Sequence, residues 1–313
     1  MDVTKCSRRR SIATAMVLIV ACLLAAPAPA RTFTRVAFPS LDNDEGGTPV
    51  PLQAILLLPD GPMPAGGYPA IVALHGCSGM YSSLKGHEDR LSERLMARAD
   101  MLLGEGYAVL FPDSFESRGR HEVCTIKVGE RSIAPAQRRL DALAALAYLG
   151  GRRDIAHDRV ALVGWSHGGS TALATINGRD REIASLRERA GSVPFFRAAV
   201  AFYPGCRASL NAGERFAPAI PTRILIGELD DWTPAKPCVD LGQVMAVRGE
   251  PLKVTVFPGS HHGFDAPGNA VAHRTDVPNG VNPGQGVHVG ANPDMRDKAN
   301  AKLRAFLDEQ LRK

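Results

Sequence analysis

Val160-Ala161-Leu162-Val163-Gly164-Trp165-Ser166-His167-Gly168-Gly169 is an apolar run that ends in a serine with glycine two places before it and two places after it. Four or five apolar, partly β-branched residues without alternation read as a strand buried on both faces, and the small residues from Gly168 to Asn177 read as a helix. Between the two the backbone must turn sharply at the serine. In such a Gly-x-Ser-x-Gly elbow the serine takes a strained conformation and projects its hydroxyl from the C-terminal edge of the sheet. Glycine on either side leaves room for the neighbouring strand and helix. The three fixed positions recur by chance in about one chain of this length in ten, so the strand before and the helix after give the pattern its weight. Ser166 is the candidate nucleophile.

A serine hydroxyl attacks poorly at neutral pH unless a base takes its proton, so the elbow predicts a histidine and an acid that orients it. In a sheet of this kind the order is Ser, acid, His, each on the loop after a later strand. Strand Arg223 to Ile226 is followed by Gly227-Glu228-Leu229-Asp230-Asp231-Trp232-Thr233-Pro234, and strand Lys253 to Phe257 by Pro258-Gly259-Ser260-His261-His262-Gly263-Phe264. Asp230 is the favoured acid over Asp231 and Glu228, and His262 the favoured base over His261. The oxyanion of a tetrahedral intermediate needs two preorganised donors. The backbone N–H of His167, next to the nucleophile, and that of Cys77, in the glycine-flanked loop His75-Gly76-Cys77-Ser78-Gly79, fit that task; the rings of His75 and His167 shape the pocket.

Outward from the elbow, strands are expected at Thr32 to Phe38, Val50 to Leu58, Ala70 to Leu74, Tyr107 to Phe111 and Ala198 to Phe202. Helices are expected at Leu84 to Leu103, Pro135 to Leu149, Lys236 to Val247 and Ala299 to Leu311. Strand and helix alternate from residue 69 onward with no repeat. That order implies an α/β domain over residues 31–313: a mostly parallel sheet flanked by helices on both faces, with a short antiparallel start. The Gly/Pro/Asn-rich segment 266–293 has no clear pattern, and the sequence leaves open whether it lies across the pocket or over the surface.

Residues 1–30 read as a secretory signal peptide: Lys5 and Arg8 to Arg10, then an apolar stretch from Ile12 to Ala26, then Ala28-Pro29-Ala30. The stretch is short for a bilayer span, so the mature chain is expected to be exported, periplasmic or secreted, without a membrane anchor. Ser7-Arg8-Arg9 and Ile19-Val20-Ala21-Cys22 faintly suggest twin-arginine and lipoprotein variants of that route. Without these residues the net charge of +5 falls to +2, 33 basic against 31 acidic, which gives no case for nucleic acid. Six cysteines become four, Cys77, Cys124, Cys206 and Cys238, an even number in an oxidising compartment. Their spacing favours none of three pairings and has no CxxC, so no metal site is expected. The pairs Cys77–Cys124 and Cys206–Cys238 are taken as hypotheses, because a bridge at Cys77 would stiffen the oxyanion loop.

Leu74-His75-Gly76-Cys77-Ser78-Gly79, Asp113-Ser114-Phe115 with Arg118-Gly119, Gly164 to Gly169, Tyr203-Pro204-Gly205-Cys206, Gly227 to Asp230 and His262-Gly263-Phe264 resemble the exported, serine-nucleophile branch of the dienelactone-hydrolase-like α/β-hydrolases, from about residue 50 to the C-terminus. The resemblance implies a triad at Ser166, Asp230 and His262 and no cofactor. Dienelactone hydrolases proper carry cysteine in the elbow; serine here favours a general carboxylic ester, a small-molecule substrate. Trp165, Tyr203, Trp232 and Phe264 are candidates for an apolar acyl pocket or for plain core, and Arg118 for a substrate carboxylate or a solvated loop. Two rivals stand: a prolyl-type oligopeptidase, which usually carries a propeller whose repeats are absent here, and a binding protein on the same fold with an inactive site.

Overall fold

The computed structural model describes residues 1–2, 33–189 and 194–312. The chain separates into two units, Met1–Arg31 and Thr32–Lys313; the export signal read at residues 1–30 lies, after Asp2, outside the described residues. The second unit begins with β1 (Phe33–Asn43) and β2 (Pro49–Leu57), an antiparallel pair. Asp44 closes their turn by accepting the N–H groups of Gly46 and Thr48 on Oδ1, and Gly47 supplies the positive φ of 77° that the reversal needs. Next come β3 (Tyr68–Leu74), α1 (Glu93–Gly104), β4 (Ala108–Asp113), α2 (Pro135–Gly150), β5 (Ile155–Trp165) and α3 (His167–Thr175). They are followed by α4 (Arg181–Arg189), β6 (Ala198–Phe202), α5 (Arg207–Asn211), β7 (Thr222–Gly227), α6 (Ala235–Val247) and β8 (Leu252–Phe257). A small antiparallel pair, β9 (Val271–Arg274) and β10 (Val287–Gly290), precedes the last helix, α7 (Pro293–Leu311).

The eight long strands form one sheet in the order β1-β2-β4-β3-β5-β6-β7-β8, parallel from β4 onward, with β2 antiparallel on β4. Every residue of β3, β4 and β6 is buried, so both faces are covered and the alternation of a half-exposed strand has no reason to appear. The expected α/β class and its antiparallel start are what the chain adopts. The parallel strands β5, β7 and β8 all end on one rim, and the residues after them therefore meet there.

The structure departs from the sequence reading at four places. The helix expected from Leu84 starts only at Glu93: Gly86 sits at φ 81°, and Leu91 is held in an antiparallel bridge to Tyr81, so a hairpin-like loop takes the first part. Strand β5 begins at Ile155, five residues before Val160. Helix α7 begins at Pro293 rather than Ala299, with the Asn292 side chain accepting the Met295 N–H. Segment 266–293 carries β9 and β10 and is pinned to the rim: Val289 bridges His262 and the Gly290 N–H donates to the His262 carbonyl. It lies against the candidate base rather than over remote surface. A second, smaller core forms where it meets the loop after β3, from Cys77, Phe115, Val123, Cys124, Ile133, Val277 and Val287.

Candidate active site

Ser166 follows β5 directly, at φ 55° and ψ −115°, a region that L residues enter only under constraint. Three constraints hold it there. Its N–H donates to the Phe202 carbonyl at 2.9 Å. A Cβ at Gly164 would stand 2.1 Å from the Gly168 carbonyl, and a Cβ at Gly168 would stand 2.1 Å from that of Leu74. The start of α3 is thus pressed against the ends of β3 and β5, and only glycine permits it. A Cβ at Gly76 would lie 3.6 Å from the Ser166 Cβ, so the His75–Gly79 loop borders the candidate nucleophile.

The imidazole of His262, 4% exposed, lies between serine and acid. Its Nδ1 donates to Asp230 Oδ2 at 2.8 Å, which leaves Nε2 as the acceptor for the Ser166 hydroxyl at 2.9 Å. Asp230 is held in turn. Its Oδ1 accepts the N–H groups of Trp232 at 3.0 Å and Thr233 at 2.7 Å, and Thr233 Oγ1 sits 3.1 Å from Asp230 Oδ2, 3.1 Å from His262 Nδ1 and 2.9 Å from the Tyr203 carbonyl. These partners fix the carboxylate plane, and the carboxylate fixes the ring. The rivals next door are engaged elsewhere: Asp231 accepts from the N–H and Nδ1 of His288, Glu228 from the N–H of Gly259, and His261 Nδ1 faces the Leu229 carbonyl at 3.2 Å.

Among the aromatic candidates, Trp232 is the one left partly exposed, tilted 4.8 Å from the His262 ring. Tyr203 also meets the imidazole, edge to face at 4.6 Å, but at 2% exposure it is core, as are Trp165 at 2% and Phe264 at 0%. Trp165 is packed between neighbours, stacked on Phe202 at 5.6 Å and met by the Arg98 guanidinium at 4.5 Å. Arg118 is neither a free loop charge nor open to a substrate carboxylate: its terminal nitrogens are engaged by Asp141, Asp42 and the Ser114 carbonyl at 2.8 to 3.0 Å. Cys77–Cys124 and Cys206–Cys238 are both bridged, with Cα separations of 4.9 and 5.0 Å.

Thr233, Arg98 and Asp265 escaped the sequence reading, which places Tyr203 only in an acyl pocket or plain core. Thr233 had a readable signal, since an aspartate three residues before a threonine suits a side-chain-capped turn. Arg98, Tyr203 and Asp265 form a buried group behind the imidazole: Arg98 donates from Nε and one terminal nitrogen to both oxygens of Asp265 at 2.9 and 2.8 Å and to the Tyr203 hydroxyl at 2.6 Å. That hydroxyl donates to Asp265 Oδ1 at 2.6 Å. Burial alone would push the Asp265 carboxyl up, but the Arg98 guanidinium reverses this and holds it below the usual range, while burial pushes the Tyr203 phenol well up. The group braces the chain three residues past His262, and no local pattern links its members.

A family model for the dienelactone hydrolase family matches residues 52–310. No curated protein matches the chain. A solved structure from Klebsiella pneumoniae subsp. pneumoniae, described as a dienelactone hydrolase, is similar with a TM-score of 0.59 and 14% identity, over 88% of this chain and 98% of that one. Esterase 2 of Thermogutta terrifontis, phosphorylated by paraoxon, is similar with a TM-score of 0.57 and 17% identity, over 88% and 94%. Dipeptidyl peptidase 4 of Porphyromonas gingivalis is similar with a TM-score of 0.56 and 14% identity, over 90% of this chain but 36% of that one. At these identities the likeness is one of fold, the α/β-hydrolase fold.

Proposed function

We propose that this chain, which belongs to the dienelactone hydrolase family and is a hydrolase, cleaves carboxylic esters through an acyl-enzyme at Ser166. The observation that carries the reading is the unbroken line of hydrogen bonds from the Ser166 hydroxyl through both nitrogens of His262 to Asp230, at a serine held in positive φ. In the first half-reaction the Ser166 Oγ adds to the ester carbonyl carbon as its proton passes to His262 Nε2. The π pair of the carbonyl moves onto oxygen, where the N–H groups of Cys77 and His167 receive it. His167 opens α3, and the first N–H groups of a helix have no intrahelical acceptor. Collapse of the adduct expels the alcohol oxygen, which takes the proton back from Nε2. Water then repeats the sequence on the acyl-enzyme and frees the acid.

Asp230 holds the imidazole in the tautomer with Nε2 unprotonated and stabilises the imidazolium that forms. Export of the mature protein belongs to the same reading, supported by two disulfides; no helix among the described residues is long and apolar enough to cross a membrane. The test uses the protein lacking residues 1–30, a panel of p-nitrophenyl esters graded in acyl size, a set of peptide p-nitroanilides and a fluorophosphonate probe. Wild type turns over esters and is labelled at Ser166; Ser166→Ala loses both and melts at nearly the same temperature. Ester turnover that survives Ser166→Ala would retire the mechanism. Cleavage of anilides in preference to esters would return the peptidase reading, and absence of labelling the binding reading.

A further inference from the structure

Arg138, on α2, is fully buried and lies behind the nucleophile rather than in the pocket. One terminal nitrogen donates to His167 Nδ1 at 2.8 Å, and the other donates to the His75 carbonyl at 2.9 Å. These two contacts fall on the two backbone segments that would supply the oxyanion donors. His167 Nε2 is buried without a hydrogen-bond partner among the described residues, so the polar anchor of that ring is Arg138. On the other segment the control passes through peptide planes. Fixing the His75 carbonyl fixes the plane that enters Gly76; His75 Nδ1 then donates to the Gly76 carbonyl at 2.8 Å, and the Gly79 N–H reaches the same oxygen at 3.4 Å. A trans peptide points its N–H opposite to its carbonyl, so a carbonyl held on one side aims the Cys77 N–H to the other.

The guanidinium sits 5.0 Å from the centre of the Phe115 ring, and that ring is met edge-on by both His75 and His167. Both imidazoles stay neutral: burial first, and the Arg138 charge second, hold their basicity well below the ordinary histidine value. Arg138 itself is lowered by burial to about 10, with Asp141 and Asp113 working against that shift, so it is cationic at neutral pH. Of the carboxylates near it, Asp141 is bound to Arg118 and Asp113 accepts the N–H groups of Phe115 and Glu116. Neither is hydrogen-bonded to the guanidinium; both act on its charge through space, and its terminal nitrogens are left to His167 and the His75 carbonyl.

We propose that Arg138 is a positioning residue for both oxyanion donors and a buried cation behind them, so that negative charge developing on the substrate oxygen meets a fixed positive field as well as two aimed amides. This rests on the ester reading above. It is tested with Arg138→Lys, which keeps a charge but loses the forked geometry, on two readouts. One is the split of ester kinetics. The other is the pKa of the hemiketal oxyanion that a carbonyl-labelled trifluoromethyl ketone forms on Ser166, followed by ¹³C NMR.

The expected result is a fall in kcat of about 10- to 100-fold with KM within about twofold, as for loss of part of an oxyanion site, and an oxyanion pKa raised by about one unit or more. If the lysine variant does not fold, His167→Ala takes its place: the guanidinium stays while its bond to the neighbour of the nucleophile is cut, and both readouts shift in the same direction by less. Wild-type protein that turns over esters, with a folded variant whose oxyanion pKa is unmoved, overturns this proposal alone. Wild-type protein that neither turns over esters nor forms the adduct overturns the ester reading and this proposal with it.

Discussion

Asp230 and Asp231 are neighbours with separate partners: the first accepts the Nδ1–H hydrogen bond of His262, the second accepts two hydrogen bonds from His288 on β10. Asp230→Asn replaces an acceptor by a group that can offer a donor to Nδ1, which favours the tautomer with Nε2 protonated and leaves Ser166 without a base. A loss in kcat of about 10⁴-fold is expected, the size seen when a triad acid is changed in this way. Asp231→Asn removes a tie to the β9–β10 segment and is expected to change kcat by less than about tenfold while lowering the melting temperature. Parallel kinetics and melts of the two variants check this, and equal losses in kcat would show that the acid has been misassigned. The choice between these aspartates was only partly legible beforehand, because one-residue offsets in a turn are set by which carboxylate the turn folds inward. Ser166 was legible as a candidate because the glycines that surround it stand at fixed offsets in the sequence, although the contact that demands Gly168 is the distant Leu74 carbonyl.

At the scale of elements, the Cys77–Cys124 bridge joins the loop after β3 to the loop before α2, and the Val123 N–H donates to the Cys77 carbonyl within it. Cys206–Cys238 instead ties the segment after β6 to α6. In the chain-entropy view each stabilises by about 4 kcal/mol, so Cys77→Ala/Cys124→Ala and Cys206→Ala/Cys238→Ala should lower stability by similar amounts. Their effects on turnover should differ: the first pair borders a proposed oxyanion donor, and its loss is expected to reduce kcat at least about tenfold at unchanged KM, the second pair less. Denaturant midpoints and ester kinetics of the two double variants decide this, and equal kinetic effects would sever the link between bridge and donor.

Elements made of local periodicity, such as α2, α6 and the parallel strands, were readable within a few residues. The β9–β10 pair was not, since its strands are four residues long and flanked by glycine, proline and asparagine. What makes it fold is contact at a distance: Asn279 bonds the carbonyl of Ile126 and the N–H of Val128, and Val277 and Val287 fill the core against the Cys77–Cys124 bridge. Helix α1 was over-extended for the same reason, because the bridge from Leu91 to Tyr81 is a tertiary fact. The Arg98, Tyr203 and Asp265 group, drawn from three distant places, has no sequence signature that links its members.

For the whole molecule, the buried imidazoles of His75 and His167 contribute a loss of stability in mild acid. Both have folded-state pKa values well below the usual histidine value, through burial first and Arg138 next. Below about pH 6.5 the unfolded chain takes up protons that the folded chain refuses. The contribution of this pair is therefore fully present above that pH and is lost as pH falls beneath it, with a slope that approaches two protons. Denaturant midpoints at pH 7.5, 6.5 and 5.5 should decline in that order, and His167→Asn should make the decline shallower by about one proton. A flat profile from pH 7.5 to 5 would show that these rings titrate freely. The twisted backbone at residue 166 bears on endurance as well as on chemistry. Glycine would rest there without complaint, while alanine would inherit the same discomfort as serine. A library of variants sorted only for survival at high temperature, with no demand for turnover, would drift toward glycine at 166, and its hardiest members would be inert.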